Sequence, residues 1–114
     1  MKETETRALS YLGLAVRAGR AIIGVPLICQ ALKKARNGGE KQPLIVIEAA
    51  NTSENTHKRI ADRAAYYGVP AVRLSLDSEA LATAVGKRGG AVGAVCVTDQ
   101  NLAAAIAALY SISL

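Results

Sequence analysis

Leu44-Ile45-Val46-Ile47, an unbroken apolar run ahead of the cap cluster Asn51-Thr52-Ser53, decides the architecture. A strand without polar alternation is covered on both faces, so helices must lie on either side of its sheet. Downstream, the cap cluster opens a helix whose inner positions are Ile60, Ala64 and Tyr67. Glu54, Lys58 and Asp62 stand four apart on its outside, a spacing that supports an exposed helix. Tyr67-Gly68-Val69-Pro70 ends that helix, and Ala71 to Leu74 reads as a short strand. Asp77-Ser78-Glu79 opens a helix over Ser78 to Val85. Ala91 to Val97 reads as a second buried strand, and Asp99 to Tyr110 as a closing helix capped by Thr98. Upstream, Leu9, Leu12 and Val16 recur at helical spacing and predict a helix from Thr4 to Ala18. Ala21-Ile22-Ile23 is an abbreviated strand, and Pro26 suits the first turn of the helix after it. Ile28, Ala31, Leu32 and Ala35 form that helix's inner face. Gln30, Lys33, Lys34 and Asn37 lie off it, and Gly38-Gly39 supplies the stop. Strands alternate with helices throughout, which predicts an α/β fold: one domain over residues 1–114, a three-layer α/β/α sandwich around a small mixed sheet.

Composition narrows the class. In 114 residues, 51% are apolar and 20% charged, which excludes intrinsic disorder. Fourteen Lys and Arg against nine Asp and Glu leave a net charge of +5, a balance that suits an anionic partner. Trp and Phe are absent, so Ala, Val, Ile and Leu must fill the core. No apolar run approaches the roughly 20 residues of a membrane span. Met1-Lys2-Glu3-Thr4-Glu5 lacks a secretory h-region, and the expected location is the cytoplasm. Cys29 and Cys96 lie in apolar stretches without metal-ligand spacing and read as reduced core residues.

The catalytic inventory is thin. His57 sits in the first turns of a helix with no evident carboxylate partner, and reads as a surface histidine. Cys29 would need a base and exposure to act as a nucleophile. No stretch fits a P-loop, and Gly86 to Gly93 has a helix before and a strand after, the reverse of a dinucleotide fingerprint. No cofactor is expected. Gly86-Lys87-Arg88-Gly89-Gly90 is either a plain turn or a cationic loop that meets phosphates. Arg17, Arg20, Lys33, Lys34, Arg36 and Lys41 accompany a single nearby acid, Glu40. That stretch is either a solvated face or one that neutralises phosphates. The tyrosines do not interleave with basic residues on a strand, which disfavours an aromatic sheet reader and favours structured RNA.

The order of the pieces carries a resemblance. Leu12-Gly13-Leu14-Ala15-Val16-Arg17-Ala18-Gly19-Arg20, then Gly24, then Gln30-Ala31-Leu32-Lys33 resembles the opening of bacterial YlxQ-type proteins, of the L7Ae/L30e ribosomal-protein superfamily. Leu44 to Glu48, Ser53-Glu54-Asn55-Thr56, Tyr67-Gly68-Val69-Pro70, Ala84-Val85-Gly86-Lys87 and Val95 to Asp99 continue it. The resemblance implies an α/β/α sandwich that binds RNA kink-turns in ribonucleoproteins. In such relatives a Gly-x-Asn-Glu motif opening the second helix reads sheared G·A pairs, and a lysine one turn later meets phosphate. A loop before the last strand embraces a flipped-out nucleotide.

Carried across, the resemblance places Gly24 at the motif glycine and Val25 at its variable position. Pro26 and Leu27 stand where the Asn and Glu would be. Gln30 takes the lysine's place, with Lys33 on the same stripe and Lys34 beside it. Glu48 matches the acid after the central strand, and Lys87, Arg88 and Gly89 occupy the embracing loop. Arg20 joins them as a phosphate contact. Pro26 and Leu27 cannot supply base-edge hydrogen bonds, so the expected activity is RNA binding with weakened or altered kink-turn selectivity. The rival class is a protein-interaction module that kept the fold and lost the RNA, using the apolar spot at Pro26 and Leu27. An enzyme acting on a phosphorylated small molecule would rest on the glycine loop alone.

Overall fold

The computed structural model describes residues 3–35 and 42–114, so Arg36, Asn37, the Gly38-Gly39 stop and Lys41 lie outside the described residues, as does the side chain of Ala35. Among the described residues, five helices and four strands follow in the order α1 (Glu3–Arg17), β1 (Ala21–Ile23), α2 (Val25–Ala35), β2 (Ile45–Glu48), α3 (Glu54–Tyr66), β3 (Ala71–Arg73), α4 (Ser78–Ala84), β4 (Ala94–Val97) and α5 (Gln100–Leu109). The strands stand in the order β1-β4-β2-β3. β4 is antiparallel to both β1 and β2, while β3 runs parallel to β2, so the sheet is mixed.

Period-two alternation in the two middle strands assigns the layers. Ile45 and Ile47 of β2 and Val95 and Val97 of β4 join Leu12, Leu81 and Ile106 on the side of α1, α4 and α5. Val46, Ala94 and Cys96 face the other way and pack with Ile28 and Leu32 of α2 and Ile60 of α3. Both middle strands are buried at every residue, as an apolar run without polar alternation requires. The outer strands are only three residues long and partly exposed, which keeps the free edges short. The three-layer sandwich is therefore the observed architecture.

Two boundaries differ from the sequence reading. The last strand begins at Ala94, not Ala91, because the preceding residues turn away to bond other elements. Val92 N–H donates to the Ser78 carbonyl at the start of α4 (3.0 Å). The cap of α5 is Asp99 rather than Thr98: its carboxylate accepts from Leu102 N–H at 2.8 Å. Thr98 is already committed, since its N–H donates to the Arg20 carbonyl and extends the pairing with β1.

Burial separates the two thiols. Cys96 is fully buried in β4, and desolvation pushes its thiol up to about 12, while Cys29 on α2 is half-buried. Thiolate is the reactive form, so Cys96 should be inert while the fold holds. An aromatic disulfide reagent at pH 8 is expected to label Cys29 alone in the folded protein and both thiols in denaturant. Rapid labelling of Cys96 without denaturant would contradict this packing.

Candidate nucleic-acid interface

α2 starts at one end of the sheet because Gly24 makes the turn out of β1. Gly24 holds φ at +103°, a conformation that side chains rarely tolerate. Its N–H donates to the Ala94 carbonyl and its carbonyl accepts from Ile28 N–H, both at 3.0 Å, so it links β4 to the first turn of α2. The first amides of a helix lack intrahelical partners and form the positive end of the helix dipole. Pro26 removes one of those donors. Leu27 next to it is 55% exposed, an apolar spot on the rim.

Two further segments converge there. Ala49 N–H donates to the Gly93 carbonyl at 2.8 Å, which ties the loop after β2 to the residues before β4. A methyl group placed on Gly93 would lie 3.4 Å from a methyl of Val25 and 3.4 Å from one of Thr52. The start of α2, the β2–α3 loop and the approach to β4 thus converge around one glycine, with room beside it for no more than a methyl group. Asn51 Oδ1 accepts from Ser78 N–H at 2.8 Å and joins α4 to the same end.

Glu48 holds this loop from inside. It is only 2% exposed, at the end of β2. Its carboxylate accepts from His57 Nδ1 at 2.8 and 3.0 Å and from the Thr52 hydroxyl, and Arg73 Nε lies 3.7 Å away. His57 therefore has the carboxylate partner that its sequence neighbourhood did not show. The two are nine residues apart and meet because the chain reverses between β2 and α3. A lone acid ending an apolar strand, with a histidine early in the next helix, was the available signal. Glu48 itself, expected as an RNA contact, points inward, its carboxylate engaged by Thr52 and His57. With Nδ1 bound to Glu48, His57 has its other ring nitrogen, Nε2, as the polar group left to present, and its side chain is 40% exposed.

The cations take other places. Arg20 precedes β1, at the opposite end of the strand from Gly24. Lys33 and Lys34 occupy the last turn of α2, which at 1.5 Å per residue lies about 12 Å from its start. Gln30 is exposed midway along that helix. Lys87, Arg88 and Gly89 form an exposed turn beyond α4, fixed by Lys87 N–H donating to Ala82 (2.8 Å) and Gly90 N–H donating to Lys87 (3.1 Å). α4 begins at the convergent end and carries the chain about 10 Å from it. The structure thus brings Gly24, Val25 and, through Thr52, Glu48 together with Gly93. It sets Arg20, Lys33, Lys34 and the Lys87–Gly89 turn at a distance. The loop residue at the α2 start is Gly93, in a stretch whose composition reads as strand.

No helix among the described residues is long and apolar enough to cross a membrane. No cluster of metal-ligating side chains occurs among them.

Residues 6–107 match the ribosomal protein L7Ae/L30e/S12e/Gadd45 family. The chain is 38% identical over 73 residues to the RNA-binding protein YlxQ of Enterococcus faecium, a match covering 64% of this chain and 65% of that protein. It is 36% identical over 92 residues to the RNA-binding protein YlxQ of Bacillus subtilis (strain 168), covering 81% of this chain and 83% of that one. A Bacillus halodurans protein of unknown function superposes with a TM-score of 0.75 at 29% identity, over 91% of this chain and 96% of the other. The Giardia lamblia 15.5kD RNA binding protein shares the fold, with a TM-score of 0.72 at 18% identity over 98% of this chain and 89% of the other.

Proposed function

The chain belongs to the ribosomal protein L7Ae/L30e/S12e/Gadd45 family, and from that premise we propose that it is a non-enzymatic RNA-binding protein that seats the start of α2 on a structured, kink-turn-like RNA. The observation that carries this reading is the convergence at Gly93, which is bonded to Ala49 and stands within a methyl group's reach of Val25 and Thr52, so that three segments form one docking edge. Gly24 and the first turn of α2 approach the RNA with backbone amides. Ala91 to Gly93 lie against the kink, and His57, oriented by Glu48, lines the rim. The phosphate backbone then follows the exposed stripe of α2 past Gln30 to Lys33 and Lys34. Arg20, Lys87, Arg88 and Gly89 serve flanking strands. The fold acts as a single RNA-binding domain in a cytoplasmic ribonucleoprotein, ribosomal or otherwise.

A second reading, a protein-interaction module, draws on one observation: Leu27 is exposed beside Pro26 where base-reading side chains would stand. Titrating the protein with a kink-turn RNA and a plain duplex of equal length, across a salt series, separates the two. Each phosphate neutralised contributes roughly 0.9 to the logarithmic salt slope on a duplex. The RNA reading, with five cations on phosphates, predicts preference for the kink-turn and a slope of about −4 to −5. Absence of binding to either RNA would favour the protein partner.

A further inference from the structure

α2 and α3 start at the same end of the sheet and run side by side, so their last turns share the opposite pole. The two helices carry Lys33, Lys34, Lys58, Arg59 and Arg63 against Glu54 and Asp62. The helices on the other side carry Arg7 and Arg17 against Glu3, Glu5 and Glu79. Positive charge is therefore concentrated on the α2/α3 side.

Within it, Arg59, Asp62, Arg63, Tyr66 and Tyr67 line a shallow groove of about 430 Å³, large enough for one nucleotide. Tyr66 is the most exposed large apolar side chain described, at 68%. Its ring meets that of Tyr67 edge to face, with centroids 4.9 Å apart and an interplanar angle of 85°, which fixes its orientation. Arg59 and Arg63 stand four apart on one helix stripe beside it.

We infer that this groove is a second RNA contact, in which an unpaired base stacks on Tyr66 and its phosphate sits between Arg59 and Arg63. Stacking suits the exposed ring because every base offers a π-face. Asp62 in the same groove repels phosphate but accepts from ring N–H or amino groups, and so favours bases with donor edges. The inference rests on the RNA reading and lengthens its footprint. α3 spans about 19 Å, which an A-form duplex arm covers in roughly six to seven base pairs.

The test uses the full chain and three probes: a kink-turn RNA with blunt six-base-pair arms, the same RNA with three-nucleotide guanine-containing overhangs, and that single strand alone. The overhangs are expected to tighten binding about tenfold. Tyr66→Ala should erase that gain and leave blunt-RNA affinity unchanged, with Tyr66→Phe retaining it. Arg59→Gln with Arg63→Gln should lower the salt slope for the overhang RNA only. Equal binding of blunt and overhang RNA by the unmodified protein would overturn the second contact while leaving the first intact. A Tyr66→Ala effect on both RNAs alike would also overturn it. Tyr66-dependent binding of the single strand without any blunt-RNA binding would keep this contact and overturn the α2 site. No binding to any probe would overturn both.

Discussion

Replacing Pro26 with Asn and Leu27 with Glu together is expected to raise the preference for a kink-turn over a duplex at least tenfold. The two positions are the second and third of α2, since Gly24 caps it and Val25 follows. Leu27 is more than half exposed, so a carboxylate there meets water or RNA without opening the core. A Glu at the third helical position also faces the positive end of the helix dipole and leaves the helix no weaker. Asn restores the amide donor that proline lacks. Each directional contact to a base edge is worth roughly 1–3 kcal/mol of discrimination, by analogy with duplex readout. The phosphate contacts that the kink-turn and the duplex share cancel in the ratio, so two such contacts set it. Competition binding with both RNAs reads the ratio directly. An unchanged ratio in a folded variant would mean that the start of α2 does not face the kink.

Glu48→Ala is expected to cost about 2 kcal/mol of stability, with a melting temperature lower by roughly 10 °C. The carboxylate is buried while the side chains of His57 and Arg73 are each 40% exposed, so its removal strands no buried charge. What is lost is a set of charge-assisted hydrogen bonds, together with the packing of the side chain. Thr52 is the consequential partner, because its methyl group faces Gly93. With Glu48 gone, Thr52 and His57 lose their common anchor, and the docking edge should loosen. RNA affinity is therefore expected to fall by about tenfold even at temperatures where the variant remains folded. Glu48→Gln, which keeps the volume and an acceptor for Thr52, should recover most of the stability. Full stability and affinity in Glu48→Ala would remove Glu48 from the account.

The layers were legible in the sequence because they rest on local signals. The run Leu44 to Ile47 has no polar alternation, and Ile28 and Leu32 repeat at helical spacing. Both features mark burial without knowledge of any partner. The Glu48–His57 contact was harder to read, because it joins residues across a chain reversal and its signal is only an acid ending an apolar strand ahead of a histidine early in the next helix. The start of the last strand was misplaced for a related reason. Ala91-Val92-Gly93 has strand-like composition, but hydrogen bonds to distant Ser78 and from Ala49 take its backbone elsewhere. The charge pattern was the least transparent. Arg20, Lys33 and Lys34 are close in sequence to Gly24, yet the chain reverses there and both β1 and α2 lie on the same side of it. Strand and helix geometry thus carry those cations to the far pole.

Backbone amide mapping during titration with a kink-turn RNA tests the central claim most directly. The account predicts the largest chemical-shift changes at Gly24, Val25 and Leu27, at Ala49 to Thr52 and at Ala91 to Gly93, with smaller ones along α2 to Lys34. Changes confined to α1 and α5, with the Gly93 cluster silent, would contradict it.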